Sequence, residues 1–533
     1  MKILDCTIRD GGYYTNWDFD QDIVKTYLES FNHLPVEYLE VGYRSASKTE
    51  YLGEYFYCPI ETLTRLKRIS QKKLVIILNE KDVRAEDAEV LLAPIKELVT
   101  MVRMAIDPKN FKRALILAKE VKRLGFEVAF NVMYMSTWAD EREFLELIPQ
   151  VDEVADYFYM VDSFGGVYPQ DVKDTIALVR SKTKVKLGFH GHNNLEMALA
   201  NTLTAIDEGI DIVDATVTGM GRGAGNLKTE LLLTVLNAKG LLDFPYNELS
   251  KTVDDFTKLQ KYHEWGANLP YMVSGANSLP QKQVMEWVSK RYYSFNSIIR
   301  ALNNQSQGNV DNTKLPVFDF GSEKTYAGAL IVGGGPSAKN HIEALGSFLI
   351  NNPNIIVIHA SSKNAFSFES LPNDQYFCLV GNEGHRLEEV FQGNNINGKC
   401  ILPPYPREMG TYIPKSLTDK AYELDSVEFT ELYKDSHTSL ALQSVLALSI
   451  NKIFITGYDG YSGTHIEEKE QELFLENQYL IQNLVKQLAK SHIIYTNYCN
   501  QHISHHLYLQ PEVLSSFLFQ ANLLYWMYLL LHH

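Results

Sequence analysis

Eight short apolar runs, each followed by a longer segment with apolar residues at helical spacing, fill roughly the first 240 residues and constrain the fold most strongly. They begin near Lys2, Glu37, Lys73, Thr100, Phe126, Tyr157, Val185 and Asp211. A (β/α)8 TIM barrel needs that number of strand–helix units in about that length. A doubly wound open sheet is the structural alternative. The barrel is favoured because Asp10, Arg44, Asn79, Arg103, Asn131, Asp162, His190 and Asp214 recur at the C-terminal ends of the runs. A barrel gathers those ends around one mouth, whereas an open sheet spreads them along an edge.

The expected organisation is an α/β chain with a barrel over residues 1–280, a helical appendage and linker over 281–324, a Rossmann-like α/β domain over 325–510 and an apolar helix over 511–533. The polar, turn-rich stretch 304–312 marks the boundary. Beyond it, Ala329–Val332 runs into Gly333-Gly334-Gly335-Pro336-Ser337. Strand candidates at Ile355–His359, Tyr376–Val380, Cys400–Leu402 and Lys452–Thr456 alternate with helical runs, which favours an open, mostly parallel sheet. Val513–Leu531 is apolar enough for a membrane anchor, but Ser515, Ser516, Gln520 and Asn522 interrupt it and no basic flank follows. A buried or interface helix is the preferred reading, with an appended extension as the alternative.

A formal charge of -15 argues against a general nucleic-acid or anionic-membrane surface and directs attention to small-molecule chemistry. Five scattered cysteines with no C-x-x-C pair, and an N-terminus reading directly into a strand, predict a reduced, cytoplasmic protein. A homo-oligomer is expected.

His190 and His192, one residue apart at the end of a strand, point to the same side of it, so both imidazoles can reach one point. In a strand such a pair is more often two satisfied polar side chains than two ligands. Here, however, the next strand ends in a glycine-rich turn carrying Asn226, and strand one leads into Arg9-Asp10-Gly11-Gly12. Closure of a barrel would bring strands one and seven to a common centre.

Asp5-x-Thr7-x-Arg9-Asp10-Gly11, then His190-x-His192-Asn193, then Gly219-x-Gly221-Arg222-x-x-Gly225-Asn226 resembles the metal-dependent aldolase and Claisen-condensing barrels, which include 4-hydroxy-2-oxovalerate aldolase, 3-hydroxy-3-methylglutaryl-CoA lyase and isopropylmalate synthase. The resemblance covers about residues 1–280. It implies that Asp10, His190 and His192, with Asn226, hold a divalent cation, and that Arg9 stabilises an enolate oxygen; such mixed oxygen and nitrogen donors, with no thiolate in the pattern, suit Mn or Mg better than zinc. The expected chemistry is carbon–carbon bond making or breaking beside the carbonyl of a pyruvate-type 2-oxo acid, with an aldehyde as partner. The hydroxy-oxovalerate aldolases carry a histidine base where this chain has Tyr13 or Tyr14, and a neutral phenol relays or donates a proton rather than removing one. The hydroxymethylglutaryl-CoA lyases carry a cysteine in the glycine-rich loop, and residues 219–226 have none.

Arg44 is expected either to bind a substrate carboxylate or phosphate, or to pair with Asp10 or Glu40. Asp162 and Tyr271 are candidate substrate-positioning groups. In the second domain, Gly333, Gly334, Gly335 and Ser337, with Asp459 in Thr456-Gly457-Tyr458-Asp459-Gly460, resemble bacterial sialyltransferases and motility-accessory glycosylation proteins. This implies a nucleotide or nucleotide-sugar site and a surface-polysaccharide role. The competing readings are an acyl-CoA-dependent Claisen synthase, a glycosyltransferase with the second domain as catalyst, and a regulatory protein on a degenerate barrel.

Overall fold

The computed structural model describes residues 1–49, 51–289, 295–308, 314–381, 383–407, 412–460, 468–487 and 492–495. The apolar segment 511–533 lies outside them. The chain divides into two compact units, Met1–Ser289 and Lys290–His533. The helix Gln281–Ser289, placed by the sequence in the appendage, therefore belongs with the barrel.

In the first unit, β1 (Lys2–Asp5), β2 (Tyr38–Tyr43), β3 (Lys73–Asn79), β4 (Met101–Ile106), β5 (Glu127–Val132), β6 (Tyr157–Asp162), β7 (Lys186–Gly191) and β8 (Ile212–Ala215) form a closed barrel in sequence order. Closure is parallel, with Leu4 opposite Asp214 and Asp5 opposite Ala215. Strands buried on both faces read as continuous apolar runs, which is why all eight are visible in the sequence. Side chains of one parity, including Leu4, Val75, Met101, Tyr159 and Ile212, fill the interior, while Ile3, Leu39, Leu74, Val102 and Phe158 pack in the shell formed with the helices. At the N-terminal end Lys2 Nζ donates to the hydroxyls of Tyr38 (3.1 Å) and Tyr157 (3.0 Å), a polar plug.

The strand–helix turn after β1 is built by its own motif. Asp5 Oδ1 accepts from the Thr7 amide (2.9 Å), the Thr7 hydroxyl (2.6 Å) and Tyr27 (2.7 Å), and Oδ2 accepts from Thr229 (2.5 Å). Burial pushes the Asp5 carboxyl up to about 6 against these donors. Asp5 thus fixes the start of the helix Thr7–Thr15, whose first turns carry Arg9 and Asp10. Asp10 is therefore helical, whereas the sequence pattern placed it at a strand end. Gly12 is required by packing, since a Cβ there would lie 2.1 Å from the Trp17 ring.

The second unit holds a seven-stranded parallel sheet: β9 (Gly328–Val332), β10 (Ile355–His359), β11 (Gln375–Cys378), β12 (Lys399–Leu402), β13 (Ala421–Glu423), β14 (Lys452–Thr456) and β15 (His492–Tyr495), in the order β13-β12-β11-β10-β9-β14-β15. Two neighbouring apolar clusters, one around Leu330, Val357 and Phe454 and one around Phe377, Leu387 and Phe391, cover one face of this sheet, since Leu330 lies opposite Val357 and Phe454, and His359 opposite Phe377. Among the described residues no helix is long and apolar enough to cross a membrane.

His359 at the end of β10 is fully buried, stacked on Phe377 at 5.0 Å and bonded through Nε2 to Gln375 Oε1 at 2.8 Å. Burial pushes it down from 6.5 to about 4. The unfolded chain then binds the extra proton between those values, so this unit loses stability as pH falls through that window, by up to about 3 kcal/mol. Denaturant titrations at pH 7 and pH 5 should show this loss, and His359→Gln should flatten it.

Candidate active site

Four of the residues singled out in the sequence converge at the C-terminal mouth of the barrel. Asp10 comes from the helix after β1, His190 from β7, and His192 and Asn226 face each other across an isolated antiparallel bridge just beyond β7 and β8. The imidazoles lie 5.0 Å apart at 76°. His190 Nδ1 is bonded to Asp214 Oδ2 at 2.8 Å, and His192 Nδ1 donates to the carbonyl of Asp162 at 2.7 Å. Both rings are thus tied from behind, leaving each Nε2 lone pair for the site. His190 Nε2 stands 3.8 Å from Asp10 Oδ2, a separation that two donors each about 2.1 Å from one cation can span. Asn226 Nδ2 donates to Asp10 Oδ2 (2.8 Å), and its Oδ1 is buried without a partner.

Burial alone would raise the Asp10 carboxyl and lower the His192 imidazole. For Asp10 the nearby Arg9, His190 and His192 reverse that effect and hold it below the usual carboxylate value. His192 is pushed down to about 3, first by burial and then by His190. An ionised carboxylate beside a neutral imidazole is the protonation state that metal ligation requires.

Behind these residues runs a buried ring of charges that the sequence reading did not assemble. Arg9 bonds Asp10 through Nη1 and Glu40 Oε2 through Nε (2.7 Å). Arg103 reaches the same Glu40 oxygen (3.2 Å) and Asp214 Oδ2 (2.5 Å), and Asp214 returns to His190. Arg103 is wholly buried, with its guanidinium 4.3 Å from the Tyr159 ring centroid and its Nε bonded to Asn131 Oδ1 (2.9 Å). Its place is mid-strand, facing inward, rather than at a strand end. The available signal was charge at inward-facing positions of β2, β4 and β8.

Cys6 corrects the expectation of a site without sulfur. Its Sγ joins His190 and Asp214 in a buried cluster that fits a metal site. The thiol lies 3.7 Å from Asp10 Oδ2 and 3.6 Å from the carbonyl of Ala215, and burial followed by Asp10 raises it well above its usual value. It is a protonated neighbour, and in that cluster Asp214 is committed to Arg103 and to the back of His190. Asp10, His190 and His192, with Asn226 beside them, are the second set of donors at the mouth.

The remaining candidates fall elsewhere. Arg44 pairs with neither Asp10 nor Glu40; it donates to the carbonyls of Leu91 (2.8 Å), Tyr57 (3.1 Å) and Cys58 (2.9 Å), a clamp between the C-terminal ends of two short helices. The Asp162 carboxylate accepts from the amides of Gly166 (3.1 Å) and Val167 (3.4 Å) and is pushed up to about 6 by burial, so its link to the site runs through its carbonyl and His192. Tyr271 is buried behind the glycine-rich loop, where a Cβ on Gly223 would lie 3.2 Å from its ring; burial pushes its hydroxyl up to about 12. Tyr13 is half-buried at the mouth, its hydroxyl 3.0 Å from that of Tyr43 and its ring 4.3 Å from the Arg222 guanidinium carbon.

In the second unit the loops after β9 and β14 meet where the strand order reverses. Gly333 and Gly335 donate their amides to the carbonyls of Thr456 and Gly457 (2.8 Å each), and the Ser337 amide donates to Asp459 Oδ2 (3.0 Å). Asn364 Nδ2 bridges the carbonyls of Gly333 and Gly335 at 3.0 Å. A Cβ on Gly334 would lie 3.2 Å from Ser361 Oγ. Ser337, Asp459 and the three glycines are brought together, but a phosphate at this loop would face the Asp459 carboxylate.

The first half of the chain has recognisable relatives. Residues 1–265 match the HMGL-like family model. The 4-hydroxy-2-oxovalerate aldolase of Geobacillus thermodenitrificans is 30% identical over 243 residues, 45% of this chain and 70% of that protein. The oxaloacetate decarboxylase of Mycobacterium tuberculosis is 26% identical over 257 residues, 45% and 71% respectively. A solved N-terminal domain of a candidate aldolase from Bacteroides vulgatus is 56% identical, covers 56% of this chain and all of that one, and superposes with a TM-score of 0.54. Through its barrel, this chain belongs to the HMGL-like family.

Proposed function

We propose that the barrel is a divalent-metal-dependent carbon–carbon lyase acting on a pyruvate-type 2-oxo acid, with an aldehyde as the second product or substrate. The observation that carries this reading is the pair of imidazoles tied from behind at Nδ1, with Nε2 of His190 facing Asp10 and the unpartnered Asn226 Oδ1 beside them. Asp10, His190 and His192, with Asn226, would hold the cation; oxygen and neutral nitrogen donors fit Mn or Mg. When bound, such a cation supplies Lewis acidity to the keto oxygen of the substrate.

The protein's own groups provide the rest. Arg9 has Nε and Nη1 committed to Glu40 and Asp10, which fixes its plane and leaves Nη2 as a donor toward an oxygen that gains charge. The Tyr13–Tyr43 hydroxyl pair uses one of its two hydrogens internally, which leaves the other as a donor at the mouth. The rings of Trp17 and Phe56 packed on Tyr43 keep water from that side of the mouth. For the second unit we propose a nucleotide or nucleotide-sugar site at the crevice between the ends of β9 and β14, on the rule that open parallel sheets bind ligands where the strand order reverses. Phosphate binding there requires the Asp459 carboxylate to leave the Ser337 amide.

Incubating the full chain and Mn with 4-hydroxy-2-oxo acids of graded length should release pyruvate. If no such acid is cleaved and free CoA appears from an acyl-CoA plus a 2-oxo acid, the lyase assignment is wrong and the Claisen reading replaces it.

A further inference from the structure

We propose that Arg222 and the Tyr13–Tyr43 hydroxyl pair form an anion-binding subsite, so that the substrate carries a second anionic group, a carboxylate or a phosphate, beyond its 2-oxo acid unit. The proposal rests on the lyase reading for the identity of that first unit. Its geometry is independent of it.

Arg222 lies in the same glycine-rich loop as Asn226, and that loop is rigid. The Asn226 amide donates to the Gly219 carbonyl (3.0 Å), the Gly225 amide to the Arg222 carbonyl (3.1 Å), and Tyr14 donates its hydroxyl to the Gly223 carbonyl (3.1 Å). Gly225, at φ +78° and with the Gly219 carbonyl 2.2 Å from where a Cβ would stand, admits no other residue without strain. The loop therefore holds the Arg222 guanidinium in one place, stacked over Tyr13.

That guanidinium lacks a counter-ion. The other arginines of this part of the barrel are neutralised or capped: Arg9 by Asp10 and Glu40, Arg103 by Glu40 and Asp214, Arg113 by Glu80, and Arg44 by three carbonyls. Among the described residues, no carboxylate lies within 4.0 Å of Arg222. Its charge is sustained first by Tyr13 and then, against burial, by Tyr43 and Asp10. The guanidinium lies over the Tyr13 ring and bonds its hydroxyl, and its remaining N–H groups match a carboxylate or a phosphate. The spare hydroxyl hydrogen of the tyrosine pair adds a third donor.

The test is calorimetric binding to the full chain with Mn supplied, comparing 2-oxoglutarate with 2-oxopentanoate and 2-oxoadipate with 2-oxohexanoate. Each pair differs only in the terminal charge. The proposal predicts a preference of at least about 10-fold for the diacid in one pair. Arg222→Gln should bring that ratio to about one by weakening the diacid alone, and Arg222→Lys should retain part of it. Binding of 2-oxo-4-phosphonobutanoate tighter than 2-oxoglutarate would identify the group as phosphate; the reverse order would identify a carboxylate. No preference in either pair, or equal weakening of all ligands in Arg222→Gln, would overturn the subsite. If Arg222→Gln does not fold, the ratio in Arg222→Lys decides. Pyruvate methyl exchange on the same samples reads the lyase assignment separately: exchange with no diacid preference removes the subsite alone, and diacid preference without exchange leaves it standing.

Discussion

Arg103→Met should destabilise the first unit by about 3–5 kcal/mol, because it leaves Glu40 and Asp214 buried without their shared cation. In a unit of this size that is a fall in its melting temperature of roughly 10 °C. The contrast is Arg123→Ala, which removes two exposed ion pairs, to Glu89 and Glu120, and should change stability by less than about 0.5 kcal/mol. The difference arises from dielectric surroundings rather than from the number of pairs lost. Water replaces the partner of an exposed carboxylate, whereas Glu40 and Asp214 are nearly or wholly buried and already carry one unpartnered oxygen each. Calorimetric melting of the two variants beside the parent chain checks this. Equal shifts would mean that the charged ring contributes no more than a surface pair.

The second large effect is on metal affinity. His190→Ala should weaken Mn binding by about 10³-fold or more, since it deletes one of three charged or nitrogen donors. Asp214→Asn, which keeps the volume and removes the carboxylate behind His190 Nδ1, should weaken it by roughly 10–100-fold. Asp214→Asn also releases Arg103, so its melting must be recorded with the titration. An Mn titration in which Asp214→Asn equals the parent would show that His190 is oriented by barrel packing alone.

The sequence exposed the barrel through its eight parallel strands, because strands covered on both faces must be apolar throughout. It exposed Asp10, His190, His192 and Asn226 because short motifs place them beside glycines that the backbone needs. It did not expose the ring behind them. Glu40, Arg103 and Asp214 come from three different strands, and local reading could only offer Glu40 as a neighbour of Arg44, which in fact clamps backbone carbonyls. Cys6 was passed over because a lone cysteine has no spacing pattern; its meaning comes from β1 ending beside β8. In the second unit, β13 is three residues long, too short for an apolar period to register, yet it completes the sheet edge beside β12. The Gly333–Ser337 turn looked like a phosphate cradle because its glycines suggested free amides. The fold uses those of Gly333, Gly335 and Ser337 to tie β9 to β14.

We propose that the barrel mouth forms an enolate from a 2-oxo acid with a divalent cation held by Asp10, His190 and His192. The most direct test is the decay of the pyruvate methyl proton signal in heavy water, with Mn or Mg supplied, for the parent chain and His190→Ala. Exchange that needs the metal and disappears in His190→Ala is the predicted result. Absence of exchange in a parent chain shown to bind the metal, or exchange that persists in His190→Ala, would contradict it.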